Sequence, residues 1–277
     1  MKWGVIGTGN MGEILIDSWM SSKVIEDEQL FITNRTISKA YAIQERYPNI
    51  NVTSDLKELI SNVDIIYICV KPLEIHPLLL NIYDYLREEQ CIVSITSPFS
   101  VERLESLVPC QVARMIPSIT NRAVAGITLA SFGEKISKEM KGYLLQSSRI
   151  YSTPQIIEDN VTRIASDIVS CGPAFYGYLA EQFINAAVEE TEISRELATE
   201  LTEKMFIGFG KLLKDGHFTL PQLIEKVCVK GGVTGEGIKA MDGNIGELFN
   251  DLIRATHNKY REDIEKIGKQ LYDYNKS

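Results

Sequence analysis

Residues 3–15 read WGVIGTGNMGEIL: a β-branched run that ends in Gly7-x-Gly9-x-x-Gly12 and passes straight into an apolar helical pattern. At a strand-to-helix turn these glycines meet separate needs. One permits the tight turn, one lets the backbone approach a pyrophosphate, and one lets helix pack closely on strand, with the helix amino terminus facing the phosphates. The context, more than the spacing, makes this the opening of a dinucleotide-binding unit. Gly7, Gly9 and Gly12, with Asn10 and Met11 between them, are the first candidate cofactor contacts.

Outward from that start, short apolar runs alternate with helical stretches. LFIT (30–33), DIIYICV (64–70), CIVSI (91–95), QVARMI (111–116) and GITLA (126–130) are separated by segments such as MGEILIDSWMSS (11–22) and TISKAYAIQERY (36–47). The alternation predicts a parallel sheet with crossover helices. One more run, RIYST (149–153), ends before Pro154. Beyond it, residues 158–169, 174–190, 194–216 and 245–274 carry apolar residues three and four apart, the pattern of helices with one buried face. The expected architecture is α/β: a Rossmann-type doubly wound domain over residues 1–153, then an all-α domain over 154–277. Phe175, Leu179, Phe183 and Ala187 form one apolar stripe there, and Met205, Phe206, Phe209, Leu212 and Leu213 another. Together they exceed what a small helical domain needs to cover itself, so the helical half is expected to dimerise.

Composition narrows the function. The 277 residues are 44% hydrophobic and 24% charged, ordinary for a folded globular chain. With 29 basic against 37 acidic residues, a net charge of -8 and no basic block, nucleic-acid binding is not expected. The 5 cysteines are scattered and lack the C-x-x-C spacing of zinc or redox sites, so no metal is expected and the thiols read as those of a reducing compartment. The amino terminus has no apolar stretch of signal length, and IIYICV is too short to span a bilayer. A cytoplasmic protein is expected.

The end of the second strand selects the dinucleotide. An NAD site usually carries Asp or Glu there, on the ribose 2′-hydroxyl. Here the run continues to Asn34 and Arg35. A 2′-phosphate would meet a cation instead of a carboxylate, so NADP is expected over NAD. Lys71 and Pro72 follow another strand at its carboxyl end, where doubly wound sheets bind ligands. Lys71 faces either the ribose or solvent; the sequence leaves both open.

In the helical half, residues 229–242 read VKGGVTGEGIKAMD. Gly231, Gly232, Gly235 and Gly237 are costly in a helix interior and predict a break in regular structure. A glycine loop opening a helix offers free N–H groups and a positive dipole end, which suits a small carboxylate.

The glycine start, DIIYICVKP, VSI, ARMIPSIT, SCGPAFYGYLAEQF and VKGGVTGEGIKAMD stand in the order and spacing of the pyrroline-5-carboxylate reductases, and the resemblance covers essentially the whole chain. A competence-associated branch of that family is similar as well. The family signature is filled here by Gly231, Gly232, Val233, Thr234 and Asp242. The resemblance implies that this loop holds a substrate carboxylate on backbone N–H groups, that the Thr234 hydroxyl bonds the ring nitrogen of a cyclic imino acid, and that the chain forms a homodimer or a higher homo-oligomer. It implies NADPH-dependent reduction of 1-pyrroline-5-carboxylate to proline.

Departures from the family pattern temper that expectation. Its Met-Pro-Asn-Thr-Pro run appears as Ile116, Pro117, Ser118, Ile119 and Thr120, its Ser-Gly-Pro-Ala as Cys171 to Ala174, and the proline before the glycine pair as Lys230. Lost polar groups near the hydride path predict weakened turnover. The alternative is a reductase-like NADP-binding protein with a regulatory, competence-associated role. A 3-hydroxyacid dehydrogenase needs a lysine on the first long helix of the second domain, and residues 174–190 contain none. His76, His217 and His257 fall outside every motif and read as surface or packing residues.

Overall fold

The computed structural model describes residues 1–274. An eight-stranded sheet has the order β3-β2-β1-β4-β5-β6-β7-β8. Its strands are β1 (Trp3–Ile6), β2 (Leu30–Thr33), β3 (Asn51–Val52), β4 (Ile65–Ile68), β5 (Cys91–Ser94), β6 (Gln111–Ile116), β7 (Gly126–Phe132) and β8 (Ser152–Ile156). The helices are α1 (Asn10–Ser22), α2 (Ser38–Gln44), α3 (Leu56–Asn62), α4 (Pro72–Ile82), α5 (Val101–Glu105), α6 (Lys138–Tyr151), α7 (Thr162–Ser166), α8 (Gly172–Glu190), α9 (Arg195–Lys214), α10 (Leu220–Val227), α11 (Val233–Ile245) and α12 (Leu248–Tyr274).

The first six strands in chain order run parallel, and the 3-2-1-4-5-6 arrangement puts the topological switch between β1 and β4. Parallel strands are covered on both faces, which is why every residue of β1, β4 and β5 is buried. One face packs Trp3, Trp19 and Tyr67 with the aliphatic residues of α1. Trp3 and Trp19 meet edge to face with ring centroids 4.9 Å apart, a contact worth about 0.5–1.5 kcal/mol beyond its buried area. The other face packs Ile66, Ile68 and Leu79 with Ile267 of α12.

Two features correct the expectation, one in strand direction and one in an element boundary. β7 pairs antiparallel with β6, because only a short 3-10 turn (Ile119–Ala123) joins them and no crossover helix intervenes. In RIYST, Arg149 to Tyr151 still belong to α6, and the strand runs through Pro154 to Ile156. β8 pairs with β7 alone, at the sheet edge, where a proline's missing N–H need not break a ladder.

Two compact units emerge: residues 1–173 with 255–277, and residues 174–254. Within the second, helix starts are set by side-chain caps. Ser194 Oγ accepts from the Leu197 N–H at 3.2 Å to open α9, and Thr219 and Gln222 cap α10 reciprocally. Arg195 ties α9 to α8 through Glu181 at 3.1 Å and Asn185 at 2.6 Å. The apolar stripes are poorly covered: Phe183 is 70% and Met205 52% exposed, while Ile184 and Ala198 are the buried hydrophobics of this unit among the described residues.

Candidate functional site

The glycine turn is built as its sequence requires. Gly7 has φ +104°, a left-handed conformation that L side chains resist, and a Cβ there would lie 2.7 Å from the Cys69 carbonyl oxygen. At Gly12 a Cβ would fall 2.2 Å from the Gly7 carbonyl oxygen, so only glycine lets α1 seat against the turn. Gly9 caps α1 in an extended conformation and has no atom within 4 Å of where its Cβ would stand. That open space lies before the first-turn N–H groups of α1. The buried Thr8 hydroxyl has no hydrogen-bond partner among the described residues. An open glycine backbone, an orphaned hydroxyl and a helix amino terminus together fit a pyrophosphate.

The turn borders a cavity of about 740 Å³ at the carboxyl ends of β1, β2 and β4. Gly7, Gly9, Asn34, Arg35 and Lys71 all contribute to it, with Lys39, Cys69 and Glu74. Asn10, Met11 and Gly12 belong to the first turn of α1, and Pro72 opens α4 beside the cavity. Asn34 is firmly held: its Oδ1 accepts from the Thr8 N–H at 3.0 Å and its Nδ2 donates to the Thr36 carbonyl at 3.0 Å. Arg35 is 89% exposed and reaches Glu74, with Nη1 2.9 Å from Oε1. Lys71 precedes Pro72, and its N–H points to Glu74 Oε2 at 3.4 Å. Burial pushes the Cys69 thiol up to about 12, so it stands beneath the cavity as a neutral thiol. Glu74 went unnoticed in the sequence reading. Its signal was an acid two residues after Pro72, a helix-start pattern that speaks of capping before binding.

The turn after β6 is more polar inside than the sequence suggests. Ser118 is 1% exposed. Its N–H donates to Asn121 Oδ1 at 2.8 Å, and its Oγ accepts from Thr120 Oγ1 at 2.9 Å. Asn121, fully buried, donates through Nδ2 to Thr128 Oγ1 at 3.0 Å, which reaches Ser152 Oγ at 2.9 Å. Ser18 of α1 donates to the Asn121 carbonyl at 2.9 Å, and Arg122 pairs with Asp17 at 3.1 Å. The polar groups of this turn are thus engaged with one another in an internal network centred on Asn121, a residue outside the motifs read from the sequence. Ile119 stands exposed. Cys171, in a π-helical segment (Asp167–Cys171) between α7 and α8, accepts from Arg163 Nη2 at 3.5 Å. Burial raises its thiol pKa, and the arginine opposes that rise.

Gly231, Gly232, Val233 and Thr234 belong to the other compact unit. Lys230 and Gly231 form a turn, Gly231 with φ +76°, and Gly232 caps α11 in an extended conformation. A Cβ on Gly232 would meet Val229 Cγ2 at 2.8 Å. The break therefore needs Gly231 and Gly232 only, whereas Gly235 and Gly237 lie inside α11, contrary to their expected part in it. No side chain among the described residues caps the start of this 13-residue helix, so its first N–H groups lack an intrahelical or side-chain acceptor, and Thr234 stands in that first turn. Val233 is largely exposed. Of the histidines, His76 is buried in α4, His217 is exposed, and His257 lies 3.8 Å from Asp167.

Comparison with known proteins agrees with this layout. Residues 159–263 match the family model for pyrroline-5-carboxylate reductase dimerisation, and residues 2–98 match that for NADP oxidoreductase, coenzyme F420-dependent. The chain is 52% identical to ComE operon protein 4 of Bacillus subtilis, over 98% of this chain and all of that one. It is 29% identical to pyrroline-5-carboxylate reductase 3 of the same organism, over 96% and 98% of the two chains. A solved structure of Plasmodium falciparum pyrroline carboxylate reductase with NADP bound superposes with a TM-score of 0.79 at 24% identity, covering 96% of this chain and 97% of that one. The amino-terminal fold is thus an NAD(P)-binding Rossmann type, followed by a helical domain of the dimerisation kind.

Proposed function

This chain belongs to the pyrroline-5-carboxylate reductase family, and on that premise we propose that it is an NADPH-dependent reductase of 1-pyrroline-5-carboxylate, or a related cyclic imino acid, with weakened turnover. The observation that carries the reading is the glycine cradle: Gly7 and Gly12 admit no Cβ, and Gly9 opens onto free space before the α1 amino terminus. When bound, the dinucleotide supplies a hydride for the imine carbon, and the ring nitrogen keeps the proton it carries as an iminium, giving proline.

In this reading residues 1–153 hold the dinucleotide. Gly7, Gly9, Asn10, Met11 and Gly12 receive the pyrophosphate, Arg35 the 2′-phosphate, and Asn34, Lys71 and Pro72 shape the ribose side. Residues 154–277 carry the substrate loop and the dimer contact. Gly231, Gly232 and Val233 take the substrate carboxylate on N–H groups at the start of α11, where the helix dipole favours an anion by about 0.3–1 kcal/mol. The Thr234 hydroxyl bonds the ring nitrogen and is the one side chain assigned to the reacting group. No strong general acid is required, because a cyclic imine is partly protonated near neutral pH, and positioning supplies most of the rate. The protein works in the cytoplasm as a homodimer or larger homo-oligomer.

A second reading is a reductase-like NADP-binding protein with a competence-associated regulatory role and little turnover. The 52% identity to ComE operon protein 4 and the altered run at Ser118 and Ile119 favour it. Following NADPH absorbance across a panel of cyclic imino acids separates the two. Oxidation above background in the parent, lowered roughly tenfold or more by Thr234→Ala with NADPH affinity unchanged, is the expected result. NADPH binding with no turnover on any substrate would replace the enzyme by the regulator.

A further inference from the structure

We propose that Glu74 is a specificity-determining residue of the nucleotide cavity, whose carboxylate limits the preference for NADP over NAD. The inference rests on the reading above only in taking that cavity as the dinucleotide site.

The end of β2, where an NAD-selective site usually keeps its acid, holds Asn34, and both polar ends of that side chain are committed to the backbones of Thr8 and Thr36. A carboxylate nevertheless stands next door. It comes from the first turn of α4, after a different strand, and lies 2.9 Å from the Arg35 guanidinium. Its placement is built into the helix start. The Glu74 N–H donates to the Lys71 carbonyl at 2.9 Å, Glu74 Oε2 receives the Lys71 N–H at 3.4 Å, and Pro72 fixes the opening turn. Arg35 and Glu74 line one and the same cavity.

The two side chains therefore act in opposite directions. A 2′-phosphate gripped by Arg35 comes within a few ångström of Glu74, so it must displace the arginine's present partner and bear the repulsion of a second anion. A 2′-hydroxyl meets neither obstacle and can donate to the carboxylate. Arg35 raises affinity for the phosphorylated dinucleotide; Glu74 lowers it and supports the unphosphorylated one. Because the pair is exposed and screened by salt, its effect on the affinity ratio is on the order of three- to tenfold.

Calorimetric titration of NADPH and NADH into the parent, Glu74→Gln and Glu74→Asp proteins tests this. Glutamine keeps the shape and can still accept from the Lys71 N–H, so the helix cap survives. The ratio of the NADH to the NADPH dissociation constant should rise three- to tenfold in Glu74→Gln, rise less in Glu74→Asp, and lose much of its dependence on Glu74 at high salt. A ratio that stays put in both variants while both nucleotides bind would reduce Glu74 to a helix cap and overturn the proposal. Failure of both nucleotides to bind the parent would instead overturn the dinucleotide reading, and this inference with it.

Discussion

Asn34 and Arg35 stand side by side, yet one is fixed and the other free to respond. Asn34 is spent on the turn it holds, so any discrimination at the ribose falls to Arg35 and its neighbours. An exposed arginine already paired with a carboxylate gives less than a buried one, and a charge-assisted bond to phosphate is worth about 1.5–3 kcal/mol before that discount. NADPH is therefore expected to bind roughly tenfold more tightly than NADH, which is about 1.4 kcal/mol. Arg35→Ala should bring the two dissociation constants together, mainly by weakening NADPH; equal affinities in the parent would sink the assignment. The residues of this site were legible in sequence wherever they follow a strand in a fixed register: the glycines, Asn34, Arg35 and Lys71. Glu74 was not, because its meeting with Arg35 spans 39 positions and depends on β2 and β4 flanking β1.

Among the elements, the 3-10 turn after β6 shows what a pattern of strands and helices leaves out. Ser118, Ile119 and Thr120 depart from the family run, and the turn they form closes on itself through Asn121, a residue that pattern gave no reason to notice. β7 turns antiparallel because its connection to β6 is too short for a crossover, and β8 runs through Pro154 because it pairs only at the sheet edge; neither is visible in the apolar run alone. Asn121→Ala is predicted to leave the Ser118 N–H and the Thr128 hydroxyl short of a partner in a buried site. The expected cost is about 2–4 kcal/mol, seen as a fall in Tm of roughly 5–10 °C by scanning calorimetry. Thr120→Val removes a single bond to Ser118 and should cost about 1 kcal/mol or less. Were the two variants equally stable, the network would not be what holds the turn.

At the scale of the whole molecule, the change of periodicity near residue 154 marks where the sheet gives way to helices. The compact units are drawn elsewhere, because the start of the helical run, to Pro173, and the last part of α12 count with the sheet. What remains, residues 174–254, has the secondary structure of a domain without the core of one. Its helices are capped and tied by ion pairs, yet Phe183, Met205, Ile207, Ile224 and Met241 are exposed, and Ile184 and Ala198 are the hydrophobics buried in it among the described residues. Exposed pairs contribute about 0–1 kcal/mol each, whereas covering one large apolar side chain contributes about 1.5–3 kcal/mol, so burial in an assembly decides the outcome. Large apolar side chains exposed in this number on one unit point to an interface, and a stable one buries at least about 1,200–2,000 Å² in total. A second copy of the chain is the partner that the matched dimerisation family supports. Light scattering at micromolar concentration is expected to report a particle of at least twice the 31.1 kDa chain mass. Phe183→Glu together with Ile207→Glu, placing charges on two exposed apolar positions of α8 and α9, should shift it toward the monomer and lower Tm with it, since a unit that lacks its own core loses stability when its partner leaves. A parent protein that scatters as a single chain would leave those stripes without a partner and would overturn the oligomer.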